Sequence, residues 1–107
     1  MEVSQYEIVL VNLDPTVGSE IKKTRPCVVI SPNEMNKHLK TVVVAPMTTK
    51  NKNYPTRVEV KHKNQKGWAA IDQIRTIDKQ RIVEVYNSLS PKEINQTKAV
   101  IRETFVD

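Results

Sequence analysis

The residue types best suited to chemistry stand around Arg25. The sequence Gly18-Ser19-Glu20 is followed by a short charged loop and then by Arg25-Pro26, which lead into an apolar run. Because proline is tolerated at the first position of a strand, we expect Pro26 to begin a strand with Arg25 at its mouth. A guanidinium fixed there, near the Ser19 hydroxyl and the Glu20 carboxylate, suits a phosphate ester that must be oriented as well as attracted. The alternative is that Arg25 is only a solvated charge at a strand end.

Two further groups of polar side chains follow predicted strands. They are Thr48, Thr49 and Lys50, and Asp72, Gln73 and Arg75. In a small barrel the ends of neighbouring strands meet at one rim, so we expect both groups to converge on the rim that carries Arg25. The alternative for each threonine is that its hydroxyl only caps a turn.

The histidines and glycines argue against a metal ion or a nucleotide cofactor. His38 and His62 lie in lysine-flanked segments without an acidic or thiol partner at ligand spacing, so we predict that both are solvated and that the chain holds no metal. With only Gly18 and Gly67, the chain has no glycine-rich phosphate loop. We therefore expect no cofactor.

Length and charge define the class of protein. We expect 107 residues to form one domain, residues 1–107, and the net charge of +5 favours a polyanionic partner such as nucleic acid or an acidic protein. The single cysteine, Cys27, has no disulfide partner and is predicted to be a buried thiol in a reducing compartment. No apolar stretch approaches the roughly 20 residues of a membrane span, and no signal peptide is evident, so a cytoplasmic location without a membrane partner is expected.

Six short β-branched or alternating segments predict a mainly β protein. The predicted strands are Tyr6–Leu13, Pro26–Ile30, Thr41–Ala45, Thr56–Lys61, Trp68–Ile71 and Ile82–Tyr86. Pro46 is expected to close the third strand, and residues 64–67 are expected to form the turn before the fifth. In the fourth strand, period-two alternation predicts that Val58 and Val60 face inward, and that Arg57, Glu59 and Lys61 face water.

The helical signals are concentrated at the C-terminal end. Ser90-Pro91-Lys92-Glu93 has the form of a capping box, in which Ser90 and Glu93 satisfy each other's backbone N–H groups. The apolar face expected to dock on the sheet comprises Ile94, Thr97, Ile101 and Phe105. Single helical turns are predicted near residues 33–37 and 76–80.

Four segments together resemble the MazF/PemK-type toxin endoribonucleases of type II toxin–antitoxin systems. They are Asp14-Pro15 with Gly18-Ser19-Glu20, Arg25-Pro26, Pro46-Met47-Thr48-Thr49, and Gln73-Ile74-Arg75-Thr76-Ile77-Asp78. The resemblance implies an SH3-like small β-barrel with short helices and a C-terminal helix, paired as a homodimer. It also implies metal-independent, sequence-specific cleavage of single-stranded RNA, without a cofactor, to 2′,3′-cyclic phosphate and 5′-hydroxyl ends. An acidic antitoxin would block the RNA site, and contact with DNA is expected only through the antitoxin complex.

The same resemblance assigns catalysis to Arg25 and Thr48. Since arginine stays protonated, we favour Arg25 as a stabiliser of the charged phosphate, although its role as a base stays open. Thr48 would donate a hydrogen bond to a phosphate oxygen. Glu20 is the nearest candidate to orient Arg25 or accept a proton, and Asp78 is a weaker alternative. The histidine that some relatives carry after the Gly-Ser-Glu segment is absent here.

RNA binding is predicted for a wider set of polar and basic residues. The set is Ser19, Lys22, Lys23, Ser31, Asn33, Thr49, Lys50, Lys52, Tyr54, Gln73 and Arg75. Its lysines and Arg75 suit phosphates, Tyr54 suits base stacking, and Gln73 and Asn33 suit base edges. Trp68 is assigned to packing in the core or in a dimer.

Two rival functions remain at the level of sequence. A CcdB-like toxin that poisons gyrase would share the barrel, but the C-terminal tip, residues 104–107, lacks that family's terminal tryptophan. A non-enzymatic, basic SH3-like RNA-binding module would leave Arg25 and Thr48 dispensable for RNA turnover.

Overall fold

One curled antiparallel sheet dominates the fold. The structure is a computed structural model that describes residues 2–50 and 53–107. Within these ranges the strands are β1 (Glu7–Asn12), β2 (Thr24–Val29), β3 (Thr41–Thr48), β4 (Arg57–His62), β5 (Gln65–Ala70), β6 (Arg75–Asp78) and β7 (Ile82–Ser88). The helices are α1 (Asn33–His38) and α2 (Pro91–Ile101), with single turns at Ile71–Gln73, Lys79–Arg81 and Arg102–Val106. The predicted mainly β architecture with a C-terminal helix is confirmed.

The sheet curls because β3 pairs with two different strands along one of its edges. The strand order is β4-β5-β3-β2-β1-β7, and β6 pairs with the first half of β3. Thr41 to Val44 pair with β6, whereas Met47 and Thr48 pair with β5. Pro46 lies between these two ladders, where an absent N–H interrupts neither. The prediction that Pro46 ends β3 is therefore wrong.

Pro26 also lies inside a strand and not at its first position. It is the third residue of β2, opposite Leu10 of β1. Pairing between β2 and β3 begins one residue later, with Cys27 opposite Pro46, so Pro26 lies outside that ladder. Arg25 is thus a member of β2 itself, and its backbone is paired with Val11.

The segment predicted as a helical turn at residues 76–80 is mostly strand. Arg75–Asp78 form β6, with Ile77 opposite Val42 and buried, and the helical turn begins only at Lys79. Burial of Ile77 against β3 overrides the local turn preference. The helical turn predicted near residues 33–37 is confirmed as α1.

The β4–β5 hairpin is tighter than predicted. Lys63 and Asn64 both have positive φ, 53° and 61°, and form a two-residue turn with His62 opposite Gln65. Gly67 is therefore a strand residue. A Cβ at Gly67 would lie 3.3 Å from Cε of Met47, so glycine lets β5 approach β3 closely.

The terminal helix α2 packs against β4 and the single turn Ile71–Gln73. The predicted capping box is present: Ser90 Oγ accepts from Glu93 N at 3.2 Å, and Ser90 N donates to Glu93 Oε1 at 2.9 Å. Thr97 is fully buried, and Ile94 and Ile101 pack on the core. Phe105 is 54% exposed, contrary to prediction, because the wider turn Arg102–Val106 ends the regular helical phase. Of the described helices, none is long and apolar enough to cross a membrane.

Candidate active site

Arg25 and Thr48 lie side by side on neighbouring strands. In the β2–β3 pairing Cys27 is opposite Pro46, and the same register continued by two residues places Arg25 opposite Thr48. Both side chains line two adjoining cavities of about 260 and 80 Å³. We call these two cavities together the Arg25 cleft. The larger is also lined by Ser19, Glu20, Ile21, Lys22, Thr49, Lys50, Arg57 and Gln73.

The guanidinium of Arg25 is held by the preceding loop. Its Nε donates to the Lys22 carbonyl at 3.1 Å, and the side chain is half-buried. The Glu20 carboxylate instead accepts from Val17 N at 2.5 Å, within its own turn. Glu20 therefore lines the cleft, but the contact that orients Arg25 comes from the Lys22 carbonyl and not from Glu20 as predicted. The remaining guanidinium N–H groups are donors suited to an anion.

The hydroxyl of Thr48 is positioned at the end of β3. It accepts a hydrogen bond from Lys50 N at 3.2 Å. A hydroxyl that accepts in this way still has its own proton to donate. Thr48 can thus present a donor beside the Arg25 guanidinium, which is the pairing required to hold the non-bridging oxygens of a phosphate.

The loop of residues 13–23 carries Ser19, Glu20 and Lys22, and distant side chains fix its shape. Gln73 Oε1 accepts from Ile21 N at 2.8 Å, and Arg75 Nη1 donates to the Leu13 carbonyl at 3.1 Å. Arg81 Nη1 donates to the Asp14 carbonyl at 2.7 Å. Gln73 and Arg75 were predicted to bind RNA, but these hydrogen bonds show that both side chains hold the backbone of the loop. They line an adjoining cavity of about 390 Å³.

Ser31 and Asn33 do not belong to the Arg25 cleft. Ser31 is buried, where its Oγ donates to Asn36 Oδ1 at 2.5 Å and accepts from Val43 N at 3.0 Å. Asn33 Oδ1 accepts from Gln5 N at 2.7 Å. Both follow the far end of β2, which lies about 13 Å from Arg25 at about 3.3 Å per strand residue. The prediction that Ser31 binds RNA is therefore wrong, and Asn33 lines a separate cavity.

The lysines predicted to bind phosphate differ in their positions. Lys22 and Lys50 are exposed and line the cleft. Lys23 has a positive φ of 72° and its N donates to Asp14 Oδ1 at 3.0 Å, so its backbone shapes the loop. Tyr54 is 48% exposed, with its ring 5.1 Å from the Arg57 guanidinium carbon. Lys52 lies outside the described residues.

Arg57 is buried in an ion pair, although alternation predicted that it faces water. Its Nε lies 3.0 Å from Asp72 Oδ1, and its side chain is 8% exposed. Thr56 Oγ1 donates to the same carboxylate oxygen at 2.9 Å. Burial alone would raise the pKa of Asp72, but the hydrogen bonds from Arg57 and Thr56 outweigh it and the pKa lies below its ordinary value. Asp72 therefore neutralises much of the charge that Arg57 brings to the cleft wall.

His62 is a cleft residue that the sequence analysis missed. It lines the smaller cavity with Arg25 and Thr48, and its ring packs against Tyr86 with centroids 4.6 Å apart. It is half-buried and not fully solvated as predicted, and burial followed by the charge of Lys63 lowers its pKa. The sequence does contain a pattern that predicts this position: with period two along β4, His62 continues the inward-facing series of Val58 and Val60.

Three other predicted assignments have clear structural outcomes. Trp68 lies opposite Thr48, is only partly buried and belongs to neither core cluster, so the core alternative of its assignment is wrong and packing in a dimer stays a prediction. The Asp78 carboxylate accepts from Gln80 N at 2.8 Å and caps the following turn. Cys27 is a buried thiol whose pKa burial raises to about 12, which makes it a poor nucleophile.

In residues 2–50 and 53–107, no group of three or more His, Cys, Asp or Glu side chains is arranged to hold a metal ion.

Comparison with known proteins gives consistent results. Residues 4–105 match the family model described as the PemK-like, MazF-like toxin of type II toxin–antitoxin systems. The chain is 33% identical over 105 residues to the endoribonuclease toxin MazF of Escherichia coli K12, covering 92% of this chain and 95% of that protein. The fold matches MazF from Deinococcus radiodurans with a TM-score of 0.84, at 22% identity and 96% coverage of both chains. It also matches a mycobacterial endoribonuclease in complex with its cognate antitoxin, with a TM-score of 0.80 at 20% identity, covering 94% and 92% of the two chains.

Proposed function

The chain belongs to the PemK-like, MazF-like toxin family of type II toxin–antitoxin systems, and on that premise we propose that it is an endoribonuclease that cleaves single-stranded RNA. The observation that carries the proposal is the pairing of Arg25 with Thr48 in one cleft bordered by Lys22 and Lys50. A fixed cation, a hydroxyl donor and exposed positive charge are the groups that a phosphodiester substrate requires.

Cleavage of RNA needs no nucleophile from the protein, because the ribose 2′-oxygen can attack the adjacent phosphorus. We propose that Arg25 stabilises the negative charge that develops on the phosphate, while Thr48 donates to a non-bridging oxygen. The bond to the 5′-oxygen of the next nucleotide then breaks. The products would be a 2′,3′-cyclic phosphate and a 5′-hydroxyl, and the reaction would proceed without a metal ion or a cofactor.

The residues around the cleft suit the binding of a single strand. Lys22 and Lys50 would contact phosphates on either side of the scissile bond. Tyr54 offers a half-exposed ring for base stacking, and Ser19 and Thr49 line the cleft as hydrogen-bonding groups. We infer that a short base motif is read here, because the exposed polar groups occupy a limited stretch of the surface.

An acidic antitoxin is the expected second partner. The net charge of +5 and the exposed lysines of the cleft suit an acidic protein segment, which would occupy the RNA site and block it. The solved mycobacterial relative in complex with its antitoxin supports this proposal. We further propose that residues 1–107 form a single toxin domain that works as a homodimer in the cytoplasm, and that it meets DNA only through the antitoxin complex.

The test is to incubate purified protein with a long RNA in EDTA and to map both ends of every fragment. Discrete cuts with cyclic phosphate and 5′-hydroxyl ends are expected from the wild type. Arg25→Ala and Thr48→Ala should each lower the single-turnover rate by roughly 10² or more, since each removes a stabilising group from the transition state. Activity that requires a metal, or 5′-phosphate ends, would contradict the proposed chemistry. RNA binding without cutting would favour a non-enzymatic binding module.

A further inference from the structure

The smaller cavity of the Arg25 cleft has a second wall, which the β4–β5 hairpin supplies. His62 and Lys66 of the hairpin face Arg25 and Thr48 across about 80 Å³. This volume exceeds the roughly 10–15 Å³ of cavity that one water requires, so a small polar group such as a phosphate can enter it. A side chain on this wall therefore lies close to any phosphate held by Arg25 and Thr48.

His62 has unused hydrogen-bonding capacity at this position. Its ring contact with Tyr86 is a tilted packing of faces, at an interplanar angle of 53°. Among the described residues, His62 makes no hydrogen bond and no ion pair, whereas the other histidine, His38, lies 3.3 Å from Glu34. Both ring nitrogens of His62 are thus left for solvent or for a ligand in the cavity.

The carboxylates near the cleft are each committed to another contact. Glu20 accepts from Val17 N and Asp72 is paired with Arg57, whereas Asp78 lies opposite Thr41, at the other end of β3 from Thr48. An oxygen lone pair that already accepts a hydrogen bond cannot at the same time accept a proton from substrate. Arg25 stays protonated and cannot serve as a base at neutral pH. By its contacts, His62 is the cleft residue best placed to accept a proton.

We propose that His62 accepts the proton of the 2′-hydroxyl that attacks the phosphate, a proposal that rests on the endoribonuclease function proposed above. As the 2′-oxygen forms its bond to phosphorus, its proton passes to an imidazole nitrogen, giving imidazolium. The bond from phosphorus to the 5′-oxygen breaks, and that oxygen takes a proton from water. The imidazolium then releases its proton to the hydroxide so formed, which restores the neutral ring.

The groups around His62 favour its neutral, basic form at the start of the reaction. Burial, followed by the charge of Lys63, disfavours a positive charge on the ring and lowers its pKa, and Lys66 and Arg25 line the same cavity. On the β7 side, hydrogen bonding to Glu84 raises the pKa of Tyr86, so the phenol remains neutral. The ring is therefore deprotonated at neutral pH and gains a proton only on acidification.

The test compares single-turnover rates across pH for the wild type, His62→Gln and a matched control, His38→Gln. The wild-type rate should fall on acidification below the ordinary histidine pKa of 6.5, because protonated His62 cannot accept a proton. His62→Gln should lower the plateau rate by roughly 10² with little change in RNA affinity, and should lose this acid limb. His38→Gln should keep both. An unchanged rate and pH profile in His62→Gln would overturn the proposal.

A second variant separates chemistry from folding. His62→Ala opens space beside Tyr86, and added imidazole should restore much of its cleavage rate while leaving Arg25→Ala unaffected. Absence of rescue in a variant that binds RNA normally would count against His62 as the proton acceptor. A wild-type protein that binds RNA without cutting it would instead refute the endoribonuclease function, so the two failures are distinguishable.

Discussion

The salt dependence of RNA binding is the prediction that the cleft defines most sharply. The cations that line its larger cavity without an acidic partner are the half-buried Arg25 and the exposed Lys22 and Lys50, whereas Arg57 is neutralised by Asp72. We therefore expect about three phosphate contacts. With about 0.7 counterions released per contact on a single strand, the logarithm of affinity should fall with the logarithm of salt at a slope of about −2.1. Raising salt from about 50 to about 200 mM should weaken binding about 18-fold.

The assay is fluorescence anisotropy of a labelled RNA, titrated at several salt concentrations. Thr48→Ala protein is the host, because it should cut RNA roughly 10²-fold more slowly than the wild type and it retains all three cations. Adding Lys22→Ala should reduce the slope to about −1.4, so that the same rise in salt weakens binding about 7-fold. Lys50→Ala should behave in the same way.

The matched control is Lys37→Ala, which removes an equal charge from α1 at the other end of β2. Its slope should stay at the host value. A slope that is unchanged by both Lys22→Ala and Lys50→Ala, or that falls as much in Lys37→Ala, would show that RNA does not bind in this cleft. Adding the antitoxin's acidic segment should displace the RNA, and a ternary complex with full RNA affinity would show that inhibition acts elsewhere.

Three further predictions concern stability. Asp72→Asn should destabilise the protein by about 1–3 kcal/mol in urea unfolding at neutral pH, because it leaves the buried Arg57 unpaired. The folded-state pKa of Asp72 lies below its ordinary value of 3.8, so the difference in stability should be lost as pH falls through that folded-state pKa. A difference that stays constant with pH would refute the pairing. Ser31→Ala should cost about 1–3 kcal/mol by the same measurement while the cleavage rate of the folded protein stays within about twofold, and a large loss of rate would return Ser31 to the site. Ser90→Ala should cost about 1 kcal/mol by removing the α2 cap, and an unchanged unfolding midpoint would contradict that role.

Local patterns in the sequence predicted the parts of the fold that depend on neighbouring residues. The alternation of Val58 and Val60 and the capping box at Ser90 were both recognisable because each requires contacts within a few positions. The course of β3 past Pro46 was not predictable in this way. It depends on the change of partner strand from β6 to β5, which no local pattern encodes.

The same distinction applies to the site. The convergence of Arg25 and Thr48 could be expected because each lies at or near a strand end, whereas their assignment to catalysis came from the resemblance to the toxin family. Ser31 was misassigned because its partner Asn36 lies in α1, and only folding shows that the two side chains satisfy each other. His62 was missed because its lysine neighbours suggested a solvated segment. In the structure the tight turn at Lys63 and Asn64 makes His62 the last residue of β4, where it lines the cleft.

The anchoring of the 13–23 loop has a consequence for the order of synthesis. The side chains that hold the loop, Gln73, Arg75 and Arg81, come 52 to 67 positions after the loop backbone groups that they bind. A growing chain that has already delivered Arg25 and Thr48 still lacks these anchors. Because contacts so distant in sequence form only after the later residues have emerged, a nascent chain on the ribosome should carry Arg25 and Thr48 without an ordered cleft. The cleft would thus be completed only near the end of the translation of each chain.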